Sequence, residues 1–125
     1  MSNARNKQNR QLLHQKYGGR CAYCGVSIQL ETMQVDHIVP LRRNDTDGQL
    51  ETWGVPRGSD HLSNFNPACA RCNKWKGTFG VEEFRSHIEA SLTRLARDAP
   101  NFKLAIDYGL LVVNKVKVQF YFETL

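Results

Sequence analysis

Four cysteines in two Cys-x-x-Cys pairs, Cys21-Ala-Tyr-Cys24 and Cys69-Ala-Arg-Cys72, constrain this 125-residue chain more than any other feature. Two residues between thiols let a tight turn aim both sulfurs at one point. Two such turns, with 44 residues from Cys24 to Cys69, can supply the tetrahedron of soft ligands that a structural zinc ion takes. Disulfides and free buried thiols are the competing readings, and a lone Cys-x-x-Cys can be redox-active. The first residues are polar and basic, with no apolar stretch of the kind that directs export. Metal ligation is therefore expected before disulfide formation, in a cytoplasmic protein. A zinc ion held by Cys21, Cys24, Cys69 and Cys72 has no ligand position left open, so it should build structure and not catalyse.

The chain is long enough for one modest core, and a single domain over 1–125 is expected. No apolar run reaches the ~20 residues that span a bilayer. Charge is unevenly placed. Residues 1–80 carry 11 Lys/Arg against 6 Asp/Glu, whereas 81–125 carry 6 of each. All the excess positive charge lies in the half that holds the cysteines, which suits a polyanionic partner or is simply a solvated basic surface.

Residues 5–17 read as a helix stopped by Gly18-Gly19. Met33–Val39 is rich in β-branched residues and reads as a short strand ending at Pro40. Residues 42–60 are loop-like, with Gly48, Gly54, Pro56 and Gly58. Asn66-Pro67 has the form of a helix start, predicting a helix from Pro67 to Lys76 closed by Gly77. Val81, Phe84, Ile88, Leu92 and Leu95 recur at helical spacing, predicting one amphipathic helix that ends before Pro100. Asn101 could cap a further short helix closed by Gly109. Leu110–Val113 and Val116–Phe122 flank Asn114-Lys115, predicting a hairpin with one buried face. The class is α+β: a ββα core over 20–78, a preceding helix, and a helical and β-hairpin extension over 81–125.

Between the cysteine pairs lies Val35-Asp36-His37-Ile38-Val39-Pro40-Leu41. The second pair sits in Ser59-Asp60-His61-Leu62-Ser63-Asn64-Phe65-Asn66-Pro67-Ala68-Cys69-Ala70-Arg71-Cys72-Asn73-Lys74-Trp75-Lys76-Gly77. Together these stretches resemble the HNH endonucleases, the ββα-metal nucleases, in their four-cysteine form. Phe84-Arg85, Leu104-Ala105, Tyr108-Gly109 and Phe120-Tyr121-Phe122-Glu123 are similar, more weakly, to small bacterial or phage-encoded HNH proteins. The resemblance implies that His37 is the general base and that Asn64 orients it and shapes the loop. It implies that Asp36 and Asn73 hold the catalytic metal, making this a His-Asn-Asn variant. The expected products are a 5′-phosphate and a 3′-hydroxyl. The segment 42–60 is longer than in compact members of the family.

The residue types suit that chemistry. An imidazole can take a proton from water near pH 7. A divalent ion on Asp36 and Asn73 could bind a nonbridging oxygen and the leaving oxygen. Two oxygen ligands favour Mg²⁺ or Mn²⁺. Arg42, Arg43, Arg71, Lys74 and Lys76 are candidates for contacts to DNA phosphates. His61 is expected in a loop role, His14 and His87 as structural, and Trp75 in packing. The alternative to a metal-dependent DNA endonuclease is a noncatalytic zinc-ribbon module that binds nucleic acid. Such a module has no need of Asp36-His37 with Asn73.

Overall fold

In the computed structural model, which describes residues 3–125, a two-stranded antiparallel sheet carries the centre of the molecule. Strand β1 (Gln34–His37) pairs with β2 (Phe65–Ala68) in the register Gln34 to Ala68 and His37 to Phe65. Helix α1 (Lys7–Gln15) precedes the sheet and begins at Asn6, whose side chain accepts from the Asn9 amide. Helix α3 (Ala70–Lys76) follows β2 directly, completing the ββα order. An apolar cluster of Leu13, Met33 and Phe65 fills the space between α1 and the sheet. A second cluster joins the cysteine knuckles to the C-terminal half through Tyr23, Ala68, Phe84 and Phe120.

Several local expectations are corrected. Asn66 and Pro67 belong to β2, not to a helix start, and α3 begins only after Cys69. Tertiary bonding overrides the local signal, because the Pro67 carbonyl accepts from the Ala22 amide at 2.8 Å. Residues 42–60 contain a helix, α2 (Asp47–Trp53), started by a capping box between Thr46 and Gln49. The single helix expected over 81–95 is two, α4 (Val81–Glu89) and α5 (Ser91–Asp98). Arg94 Nη2 donates to the His87 carbonyl at 2.7 Å and to Ser91 Oγ at 2.9 Å, tying the end of α4 to the start of α5. Helix α6 (Pro100–Asp107) starts with Pro100 in its first turn and Ala99 as cap, not with a capping Asn101.

The expected C-terminal hairpin does not form. Leu110, Val112 and Val116 are exposed, and no strand pairing occurs over 110–122. The backbone groups that a ladder would use are bonded elsewhere. The Val118 carbonyl accepts from Arg85 Nη1, and its amide donates to Glu89 Oε1. The Tyr121 and Phe122 amides donate to the carbonyls of Tyr23 and Ala22, both at 2.9 Å. The segment is thus stitched onto α4 at Val118 and onto the first cysteine knuckle at Tyr121 and Phe122. Arg85, itself buried, secures it through paired bonds to Glu123 at 2.8 and 2.9 Å.

Candidate active site

The four cysteine sulfurs all lie within 4.8 Å of one another. A tetrahedron with Zn–S bonds of about 2.3 Å has sulfur–sulfur edges of about 3.8 Å. The Cys24–Cys69 separation is 3.8 Å. Electrostatics agree with the geometry. The hydrogen bond from Cys72 pulls the Cys21 thiol down to about 4, against the effect of burial. The same contact and burial push Cys72 far up, and burial raises Cys69. One sulfur ionises easily and its neighbours then resist, unless a dication sits among them. The cluster therefore fits a zinc-type ion.

The cluster places α3 against the end of β1. Cys69 caps α3, its sulfur accepting from the Cys72 amide. Four residues on from Cys72, Lys76 reaches under the strand and is fully buried. Its ammonium donates to Asp36 Oδ1 at 3.0 Å and to the carbonyls of His37 and Ile38 at 2.9 and 3.3 Å. This removes Lys76 from the candidate DNA contacts, since no phosphate can reach it. Asp36 is 2% exposed, and its other oxygen accepts from the Tyr23 hydroxyl. Burial pushes the Asp36 carboxyl up, and the Lys76 ammonium opposes that shift. Asn66 donates to the Tyr23 oxygen and accepts from Lys16, so a polar chain runs inward from Lys16, just past α1, through Tyr23 and Asp36 to Lys76 on α3.

Asp36, His37 and Asn73 line one cleft of about 500 Å³, together with Arg42 and Arg43. A carboxylate offers about four acceptor positions, and Lys76 and Tyr23 occupy one on each oxygen. The Asn73 side chain makes no hydrogen bond among the described residues and is not sealed from solvent. Hard oxygen donors of this kind fit Mg²⁺ or Mn²⁺.

His37 is about one-fifth exposed, and its Nε2 lies 2.9 Å from Asp60 Oδ1. Its Nδ1 makes no hydrogen bond among the described residues, yet it is not a sealed-off atom. Asn64 makes no hydrogen bond to the imidazole among the described residues. Its side chain accepts from the Val39 amide at 2.9 Å and donates to the carbonyls of Val39 at 2.9 Å and Ser59 at 2.8 Å. That pins the chain two residues beyond His37 to the segment that carries Asp60. Gly58 belongs to the same arrangement. A Cβ there would lie 1.7 Å from the Val39 carbonyl oxygen, so only glycine allows the two backbones to meet.

The outer basic residues divide. Arg42 takes a left-handed backbone (φ 53°), and its Nε is the one buried side-chain polar atom without a partner among the described residues. Its Nη2 lies 3.8 Å from Glu83. Arg43 and Lys74 are exposed. Arg71 is exposed beside the Cys24 sulfur, which raises its pKa, and it lines a separate apolar groove. Trp75 is 59% exposed on the same groove, against the expectation that it packs inside.

The sequence model of the HNH endonuclease family matches residues 21–79. Those residues are an HNH-family domain. Among solved structures, the chain is similar to the Type II-C Cas9 enzyme from Actinomyces naeslundii, with 26% identity and a TM-score of 0.51. The similarity covers 69% of this chain and 8% of the Cas9 chain, so this protein corresponds to a small part of that enzyme. No curated protein matches. The HNH match ends three residues after Lys76, whereas the observed fold runs on through α4 and the C-terminal segment. Asp60, Gly58 and the buried role of Lys76 were not anticipated from sequence. The sequence signal for Asp60 is its place four residues before Asn64, in the Ser59–Gly77 stretch.

Proposed function

We propose that this chain is a metal-dependent endonuclease that hydrolyses DNA phosphodiester bonds. The observation that carries the reading is the meeting of Asp36, His37 and Asn73 on one cleft within an HNH-family domain. His37 takes the proton of the attacking water through the ring nitrogen that has no partner. Asp36 and Asn73 would hold Mg²⁺ or Mn²⁺, which when bound stabilises charge on the phosphate and the leaving oxygen. Lys76 and Tyr23 keep the Asp36 carboxylate in place from behind. Asn64 acts through the backbone of Val39, as a positioning residue. Arg42 and Arg43 on the cleft, with Lys74 and Arg71 outside it, supply phosphate contacts that are independent of base sequence. The products are a 5′-phosphate and a 3′-hydroxyl.

The test is cleavage of supercoiled plasmid by zinc-loaded protein with added Mg²⁺ or Mn²⁺, beside His37→Ala. Wild type should yield relaxed or linear product. The variant should lose about 10²- to 10⁴-fold in turnover, the usual contribution of a general base, while keeping its zinc and its DNA affinity. Equal cleavage by the two proteins would remove His37 from the reaction.

A further inference from the structure

We propose that Asp60 is a positioning residue for cleavage, fixing the His37 imidazole with its proton on Nε2 so that Nδ1 faces the cleft as the proton acceptor. The inference rests on the proposed endonuclease reading.

The first support is geometric. Asp60 Oδ1 and His37 Nε2 are 2.9 Å apart. An ionised carboxylate only accepts, so the contact requires the hydrogen to be on Nε2. A neutral imidazole carries one proton, which leaves Nδ1 as a lone-pair acceptor. The second support is the ring's other neighbours. Phe65 stands edge-on to the imidazole, with ring centroids 5.0 Å apart, and limits its rotation. The third is the placement of Asp60. Its segment is held to the strand exit by the Gly58 amide bond to the Pro40 carbonyl at 2.8 Å and by the Asn64 bond to Ser59. Its own carbonyl accepts from Asn3 at 2.7 Å. The carboxylate is thus delivered by backbone anchors that do not depend on its side chain. Its hydrogen bond to His37 holds its carboxyl below the usual range against an opposing desolvation, with smaller help from Asn3 and Arg43. It is therefore ionised wherever imidazole is neutral.

The arrangement differs from a simple surface ion pair. A tautomer error at the base leaves the fold intact but presents N–H to the water where a lone pair is needed, and such errors are costly in histidine-based hydrolysis.

The experiment combines two readouts on zinc-loaded protein. Long-range ¹H–¹⁵N correlation spectra at about pH 8, where imidazoles are neutral, report which ring nitrogen of His37 carries the proton. Plasmid cleavage with saturating Mg²⁺ reports kcat and KM. Wild type should show the Nε2–H form alone. Asp60→Ala should show mixed tautomers and a kcat lowered by about 10- to 100-fold, the range for partners that orient metal-bound histidines, with KM for DNA unchanged. Asp60→Glu should recover part of both. A wild-type Nδ1–H form, an unaltered tautomer in Asp60→Ala, or unchanged kcat in that variant would overturn the assignment. A His37→Ala protein that still cleaves would instead overturn the reading beneath it, and the spectra would continue to report the Asp60 contact independently.

Discussion

The HNH-family segment and the C-terminal half are held together by different kinds of force. In the first, a metal-ligating cluster and buried polar contacts fix a few side chains: Lys76 under β1, Tyr23 on Asp36, Asn64 across Val39 and Ser59. In the second, short helices and a strandless tail lie over aromatic rings, with Arg85 as the main polar tie. Directional contacts specify where an atom sits, whereas apolar contacts specify mainly that surfaces meet. The proposed alignment of a carboxylate, an imidazole and an amide needs the first kind. The scaffold behind it can rely on the second.

The largest expected effect tests the metal side of that contrast. Cys72→Ser should abolish zinc binding and unfold the ββα segment, because the metal's binding free energy is folding free energy, about 10–16 kcal/mol in small zinc domains. Elemental analysis and circular dichroism check this, and a zinc-free wild type with intact structure would break the comparison.

Next comes the buried pair. Lys76→Met leaves the Asp36 charge uncompensated and should cost about 3–5 kcal/mol in denaturant unfolding. Adding Asp36→Leu should recover most of that stability but none of the cleavage.

A smaller effect is expected in the second region. Arg85→Met should release the C-terminal tail and speed hydrogen exchange several-fold at the Tyr121 and Phe122 amides, with zinc retained. The bond from Arg85 holds the Glu123 carboxyl below its ordinary range. Its stabilisation is therefore full above the unfolded Glu value of about 4.3 and is lost as pH falls through the lower folded value. In wild type these amides should loosen on acidification, and in Arg85→Met that pH dependence should flatten.

Smallest is the surface. Lys74→Ala should reduce the salt slope of DNA binding by about 1 without changing kcat.

Legibility from sequence followed the same division. The cysteine pairs, β1 and the end of α3 are readable because each is a local spacing, whereas the start of α3 is not, because Asn66-Pro67 pairs into β2. Lys76 reads as a phosphate contact in the sequence because its burial depends on Asp36, forty positions earlier in the chain. The C-terminal alternation looked like a hairpin because pattern reports which face is apolar, not which partner takes the backbone bonds. Here Arg85, Glu89, Tyr23 and Ala22 take them. Asp60 is not legible in the sequence, because a lone carboxylate in a loop gains meaning only when the chain folds it onto His37.

Tyr23 sets the size of the piece that can be moved. It lies inside the first cysteine knuckle and braces Asp36, yet its ring meets Phe84, Phe120 and Phe122 edge-on, at centroid distances of 5.5, 5.1 and 6.1 Å. All three partners fall beyond residue 79. A graft cut at the borders of the family match would carry the proposed site and leave behind the wall it leans on. The transplantable unit is accordingly longer than the recognisable one, and its far edge is drawn by a tyrosine near the beginning.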